Sequence, residues 1–162
     1  GMQFADELGG VWRESCSARL KEMKYFPLDI TALDIEYTKL YGELYRSFQT
    51  SNHLQLKSNI RKHFVHTDLE LIVNDSDALI LLYDESVRLG AGTISEAQVC
   101  YNEGLPLFIV SAYEDWEKEV PGWLQSLSTK IFTNFEDLYT YLANLPEGIL
   151  KRDSYGNHKA GN

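Results

Sequence analysis

The run Ala78-Leu79-Ile80-Leu81-Leu82-Tyr83 decides the fold class. It is apolar without alternation, so it reads as a strand buried on both faces, as in a parallel sheet. A loop from Asp84 to Gly92 leads into a helix from Ile94 to about Glu103, with Gly104 placed as its C-cap. Pro106 then introduces a second buried strand, Leu107-Phe108-Ile109-Val110, at a position where a strand tolerates proline. Strand, loop, helix and strand in succession form a βαβ unit, whose crossover is expected to be right-handed.

On the amino-terminal side, Leu8, Val11, Trp12, Leu20 and Met23 recur near helical spacing, and Gly9-Gly10 delays the helix to about Val11. Lys24 to Asp29 reads as a short strand ending in a turn at Pro27. Thr31 to Thr50 is the clearest helix, with Leu33, Tyr37, Leu40, Tyr41, Leu44, Tyr45 and Phe48 on one stripe. Those tyrosines suit a core edge, or a ligand or subunit contact. A second helical piece, His53 to Val65, carries Lys57, Arg61, Lys62 and His63, a solvated face or a phosphate contact. Asp68 to Asn74 continues helically.

On the carboxyl-terminal side, Ser111 to Val120 is a loop or short helix, and Pro121-Gly122-Trp123-Leu124 opens a helical turn. Lys130 to Thr133 forms a short edge strand, and Thr133 or Asn134 caps a last amphipathic helix through Leu138, Tyr141 and Leu142. The expected fold is therefore α/β: one Rossmann-like, flavodoxin-like domain over residues 2–146, with a mostly parallel sheet flanked by helices. Residues 147–162 follow as a tail. Gly1 ahead of Met2 reads as a tag remnant and carries no weight in the fold.

Composition narrows the function classes. The 162 residues hold 15 basic and 24 acidic side chains, a net charge of −9, which argues against a nucleic acid as partner. The apolar runs are too short to span a bilayer and no secretory signal is visible, so a cytoplasmic protein without membrane contact is expected. Cys16 and Cys100 make neither a disulfide framework nor a zinc site; both read as small core residues. His53, His63, His66 and His158 show no metal-ligand spacing with a carboxylate, so no metal and no cofactor is expected.

The chemistry concentrates in Gly90-Ala91-Gly92-Thr93-Ile94-Ser95-Glu96, which follows a buried strand and opens a helix. Open α/β sheets bind ligands at such places, where glycines admit a close backbone approach and the helix N-terminus favours anions. Thr93 and Glu96 also fit a plain capping box, with Glu96 in the first turn bonding the Thr93 amide. The stretch lacks the lysine of a phosphate-binding loop and is not a dinucleotide fingerprint.

The order of the surrounding pieces resembles the nucleoside 2-deoxyribosyltransferase family, including its relatives that hydrolyse deoxynucleoside 5′-monophosphates. Asp68-Leu69-x-x-Ile72 is followed by Ser76-Asp77 at the start of a strand. Gly92-Thr93-x-x-Glu96 then precedes Gly104-Leu105-Pro106 at the start of the next. The similarity runs well from Asp68 to Val110 and loosely from Trp12 to Asp29. It implies Glu96 as the nucleophile toward the anomeric carbon of a deoxyribose, and Asp68 as the carboxylate that orients substrate and assists proton transfer to the departing base. A helix N-cap is the plain alternative for Asp68. It further implies Gly90, Gly92 and Thr93, with Ser86 and Asp84 as displaced substitutes, around the sugar or its 5′ end. A homo-oligomer is implied as well, with Trp123 in the region that members of the family borrow from a neighbouring subunit. Trp116 and Trp123 are also candidates to close over a base. The substrate would be a deoxynucleoside or deoxynucleotide.

The chain departs from the family in two places. Gly90 and Ala91 stand where a serine or aspartate usually touches the 5′ end, and only Met2-Gln3-Phe4 precedes the first helix where the family has a central strand. The first family strand is thus expected to be missing or truncated. Two alternatives stay open: a nucleotide-binding or sensing module that has lost turnover, and a nucleotide N-glycosidase of the cytokinin-activating type. Gly90 to Glu96 echoes the motif of the latter, though its Pro-Gly-Gly is absent.

Overall fold

The computed structural model describes residues 10–29 and 65–150, with the isolated positions 58 and 62. The tyrosine-rich helix expected over 31–50, most of the basic segment before residue 65 and the tail from 151 lie outside the described residues.

Three strands form one parallel sheet in the order β1-β2-β3 among the described residues: β1 Leu79–Tyr83, β2 Leu107–Ser111 and β3 Lys130–Phe132. Leu79 pairs with Leu107 and Tyr83 with Ser111, and Phe108 pairs with Lys130. Thr129 ties β3 to the middle strand before pairing begins. Its amide donates to the Leu107 carbonyl at 2.8 Å, and its hydroxyl accepts from the Leu107 amide at 3.0 Å.

Around the sheet lie α1 Gly10–Glu22, α2 His66–Glu70 running into a π turn at Leu71–Asp75, α3 Glu85–Leu89, α4 Ala91–Asn102, α5 Trp116–Glu119, α6 Gly122–Leu127 and α7 Phe135–Ala143. The unbroken apolar runs in β1 and β2 are explained by two cores. Leu81, Tyr83, Leu107 and Ile109 pack with Ile72, Val87, Ala97, Cys100, Leu124 and Leu127 on one face. Phe108, Val110 and Phe132 pack with Cys16, Leu20, Leu138, Tyr139 and Leu142 on the other. Because alternate residues of a strand point to opposite faces, a strand covered on both sides needs an apolar side chain at every position. All five residues of β2 are buried. The chain is thus an α/β fold of Rossmann-like kind, with helices on both faces of a parallel sheet. No helix among the described residues is long and apolar enough to cross a membrane.

Several expectations are corrected. Lys24–Asp29 is not a strand. Lys24 adopts φ 66° and closes α1 in a Schellman motif: the Tyr25 amide donates to the Leu20 carbonyl at 2.9 Å and the Lys24 amide to that of Lys21 at 3.0 Å. The segment is then held by a side chain instead of a ladder, with the Tyr25 hydroxyl donating to the Leu142 carbonyl at 3.1 Å. The expected loop from Asp84 to Gly92 contains α3, and α4 starts at Ala91 rather than Ile94. Gly90 ends the one helix and starts the other, so no slack remains between them. Asp68 sits inside α2, not at its N-cap, which is Val65.

Other punctuation is as the sequence suggests. Gly104, at φ 68°, follows the last turn of α4, where the Leu105 amide reaches the Cys100 carbonyl at 2.9 Å. Asn134 caps α7, its side-chain oxygen accepting from the Asp137 amide at 2.9 Å. Cys16 and Cys100 are both buried thiols, and the Cys100 thiol donates to the Leu105 carbonyl at 3.5 Å.

Candidate functional site

Glu96 is the sixth residue of α4, which begins directly after the α3 connection that follows β1. It lies one helical turn before Cys100, which is fully buried against the sheet, so the same helix face carries both toward the core. This explains why Glu96 is half-buried although it belongs to the first half of the helix. Burial pushes its carboxyl above the ordinary carboxylate range, and the positive charge of Arg13 offsets only part of that rise. Among the described residues, no hydrogen-bond donor reaches that carboxyl group.

The capping box is therefore overturned. Thr93 is the third residue of α4 and Gly90 its N-cap, with no side chain capping the helix. Glu96 lies beyond the first turn, where it has no free amide to satisfy.

Arg13 comes from α1, on the opposite face of the sheet from α4. Its guanidinium carbon lies 4.8 Å from the centre of the Trp12 ring, a cation–π contact. Trp12 in turn stacks on Phe135 with ring centres 5.8 Å apart, and Phe135 stacks on Tyr139 at 6.0 Å. Phe135 opens α7 just past the end of β3, so this aromatic row marks the rim formed by the carboxyl ends of the strands. Ligands of open α/β sheets bind along that rim. Arg13 has no role in the sequence reading, and no spacing within the chain links it to Glu96.

The remaining candidates are placed as follows. Asp68 is half-buried on α2, which packs against α4, and it makes contacts of its own. Ser86 belongs to the start of α3. Its hydroxyl donates to the Asp84 carboxylate at 2.6 Å, and the same carboxylate oxygen accepts from the Ser86 and Val87 amides at 2.9 and 3.2 Å. Gly90 is extended, at φ −118° and ψ 131°, while Gly92 lies within α4 with open space where a Cβ would stand. Trp123 is 67% exposed on α6. Trp116 packs on the edge of the core that holds Tyr83 and Leu124.

An open hollow of about 470 Å³ lies between Tyr83, Arg88, Leu89, Gly90, Ile94 and Pro121. Of the sequence-derived candidates, Gly90 alone lines it. Ala91, Ile94 and Ser95 turn one face of α4 to the hollow, and at helical spacing Glu96 falls on the other face. No group of three or more His, Cys, Asp or Glu side chains suited to a metal ion occurs among the described residues. Compared with protein-family models, curated proteins and solved structures, the chain matches none, and the chemistry of the site rests on its own residues.

Proposed function

We propose that the protein cleaves or transfers the N-glycosidic bond of a 2′-deoxynucleoside or its 5′-monophosphate, with Glu96 as nucleophile. The observation that carries this reading is a half-buried carboxyl, poor in solvation and without a hydrogen-bond donor among the described residues, on the helix that follows a buried parallel strand. A carboxylate relieved of strong hydrogen bonds is a better nucleophile, and it stabilises an oxocarbenium-like transition state at close range. In the first step a Glu96 oxygen bonds to the anomeric carbon while the bond from that carbon to the base nitrogen breaks. The electron pair leaves with the base, which takes a proton from Asp68 or from solvent. In the second step another base, or water, attacks the same carbon while its bond to the Glu96 oxygen breaks; the electron pair returns to Glu96 and the incoming group's proton passes to Asp68 or to solvent. Gly90, Gly92 and Thr93 would meet the sugar or its 5′ end. In an oligomer, the exposed Trp123 would be covered by a neighbouring subunit.

A second reading is a nucleotide-binding module without turnover. It is favoured by the position of the hollow, which faces away from Glu96. The two are separated by chromatographic assay of base release and base exchange from deoxynucleosides and their 5′-monophosphates, with Glu96→Ala beside the parent protein. Turnover lost in the variant supports glycosidic chemistry, and dependence on an acceptor base separates transfer from hydrolysis. Calorimetric binding of a nucleotide without turnover, retained in Glu96→Ala, supports the module.

A further inference from the structure

Two adjoining helices present a surface unlike that of the other described helices. α4 and α6 pack against each other over the same face of the sheet, with Ala97, Cys100, Leu124 and Leu127 in the core beneath them. The half-buried Glu96 is the one charged residue of α4, and α6 has none. Every other α-helix among the described residues carries at least two charged side chains. At helical spacing Ala91, Ser95, Gln98 and Asn102 form the outer stripe of α4, opposite Ala97 and Cys100.

What faces outward is apolar or already bonded within the subunit. Trp123 is exposed on α6, Tyr101 on α4 is 55% exposed, and Leu89, which ends α3 just before α4, is 61% exposed. The Ser95 hydroxyl donates to the Ala91 carbonyl at 3.0 Å, and the Ser126 hydroxyl to that of Gly122 at 2.8 Å. The Gln98 side-chain amide donates to the Asn102 side-chain oxygen at 3.0 Å. That of Gln125 donates to the Glu117 and Val120 carbonyls at 3.0 and 2.7 Å. Donors bonded in this way can be covered without being orphaned, so hiding the face from water costs little.

We propose that the outer face of α4 and α6 is where a second copy of this chain docks, in a two-fold symmetric dimer. A two-fold contact sets a patch against itself, so a charged patch repels its own image and an uncharged one does not. With a net charge of −9 on each copy, the uncharged face is where two copies approach with least repulsion. Other occupants find less to hold. The two helices offer no basic side chain to a phosphate or an anionic lipid surface, and no exposed charge to a charged protein. Exposed tryptophan and tyrosine are the side chains that gain most when a partner encloses them. The dimer rests on this surface, not on the glycosidic reading, and it is measured without any turnover.

Sedimentation equilibrium of the full chain over a range of concentrations tests it. The parent protein is expected at twice the 18.6 kDa chain mass. Ser95→Glu puts like charges on the outer stripe of α4 in both copies and is expected to weaken association about tenfold or more. Its circular dichroism should not change, since glutamate favours a helix more than serine does. Ser95→Lys is expected to weaken association in the same way, and an equimolar mixture of the two variants to associate more tightly than either alone. Thr140→Glu, exposed on α7 over the opposite face of the sheet, is expected to leave the dimer intact. A parent protein that stays monomeric up to about 100 μM overturns the proposal. So does an assembly that survives both Ser95 variants, or one that Thr140→Glu weakens as much as they do. Should a Ser95 variant fail to fold, Ser126→Glu on α6 takes its place under the same outcomes.

Discussion

The Asp84 carboxylate holds Ser86 twice, accepting from its amide at 2.9 Å and from its hydroxyl at 2.6 Å. A third bond, from the Val87 amide at 3.2 Å, completes the cap of α3. Val87 is buried in the core, so the cap fixes the connection between β1 and α4 at both ends. Asp84→Ala is expected to cost about 1–2 kcal/mol, the upper part of the range for lost N-caps. Urea denaturation measures it, and a loss within error of zero would show that α3 contributes nothing to the fold.

Glu96 works against stability. Its folded-state carboxyl binds protons more tightly than the ordinary value of 4.5, so the folded chain holds more protons than the unfolded one above that pH. Stability is then greatest in acid and falls as pH rises through the raised value. Glu96→Gln removes this dependence. Its melting temperature is expected to match the parent's near pH 4 and to exceed it at neutral pH. Calorimetric scans across that range check it, and a variant less stable than the parent at neutral pH would contradict the burial argument.

Gly92 separates folding from function. A Cβ at this position meets nothing within 4 Å, and the residue lies inside a helix. Gly92→Ala is therefore expected to stabilise the chain by about 0.5–1 kcal/mol. If the backbone there meets the sugar, KM rises in the same variant. Thermal melts and steady-state kinetics on one preparation give both numbers.

Lys24 pays a backbone cost at the end of α1. At φ 66° its Cβ is crowded, a conformation glycine adopts freely. Lys24→Gly is expected to raise stability by about 1 kcal/mol. Lys24 is not among the residues assigned to the site, and turnover should not change. A lower urea midpoint would mean that the lysine side chain contributes packing that outweighs the strain.

Both thiols should be silent in the folded state. Cys16 is 4% exposed and burial raises its thiol above the ordinary range, while Cys100 is fully enclosed. Thiolate is the reactive form, so a colorimetric disulfide reagent at neutral pH is expected to label neither before unfolding. Labelling that outruns global unfolding would reveal a local opening of α1 or α4.

Much of the fold was legible because burial writes itself into neighbouring residues. Leu79 to Tyr83 and Leu107 to Val110 are strands covered on both faces, and their lack of alternation says so. Gly104 and Asn134 mark helix ends through local chemistry, a positive φ in one case and a side-chain acceptor in the other. Lys24 misled for the same local reason. Its sequence context suits an extended segment, but the geometry that ends α1 needs a left-handed residue there, and no glycine announced it.

The sequence by itself determined the parallel α/β architecture and the buried cysteines, since each rests on spacing within a few turns of chain. Tertiary structure alone decided that α4 begins at Ala91, that Thr93 and Glu96 do not cap each other, and that the Glu96 side chain is turned toward the core. Caps and periodicities act over one helical turn or one strand pleat. How deeply one side chain of a helix is buried is set by how the elements on that face of the sheet pack, and no local pattern encodes it.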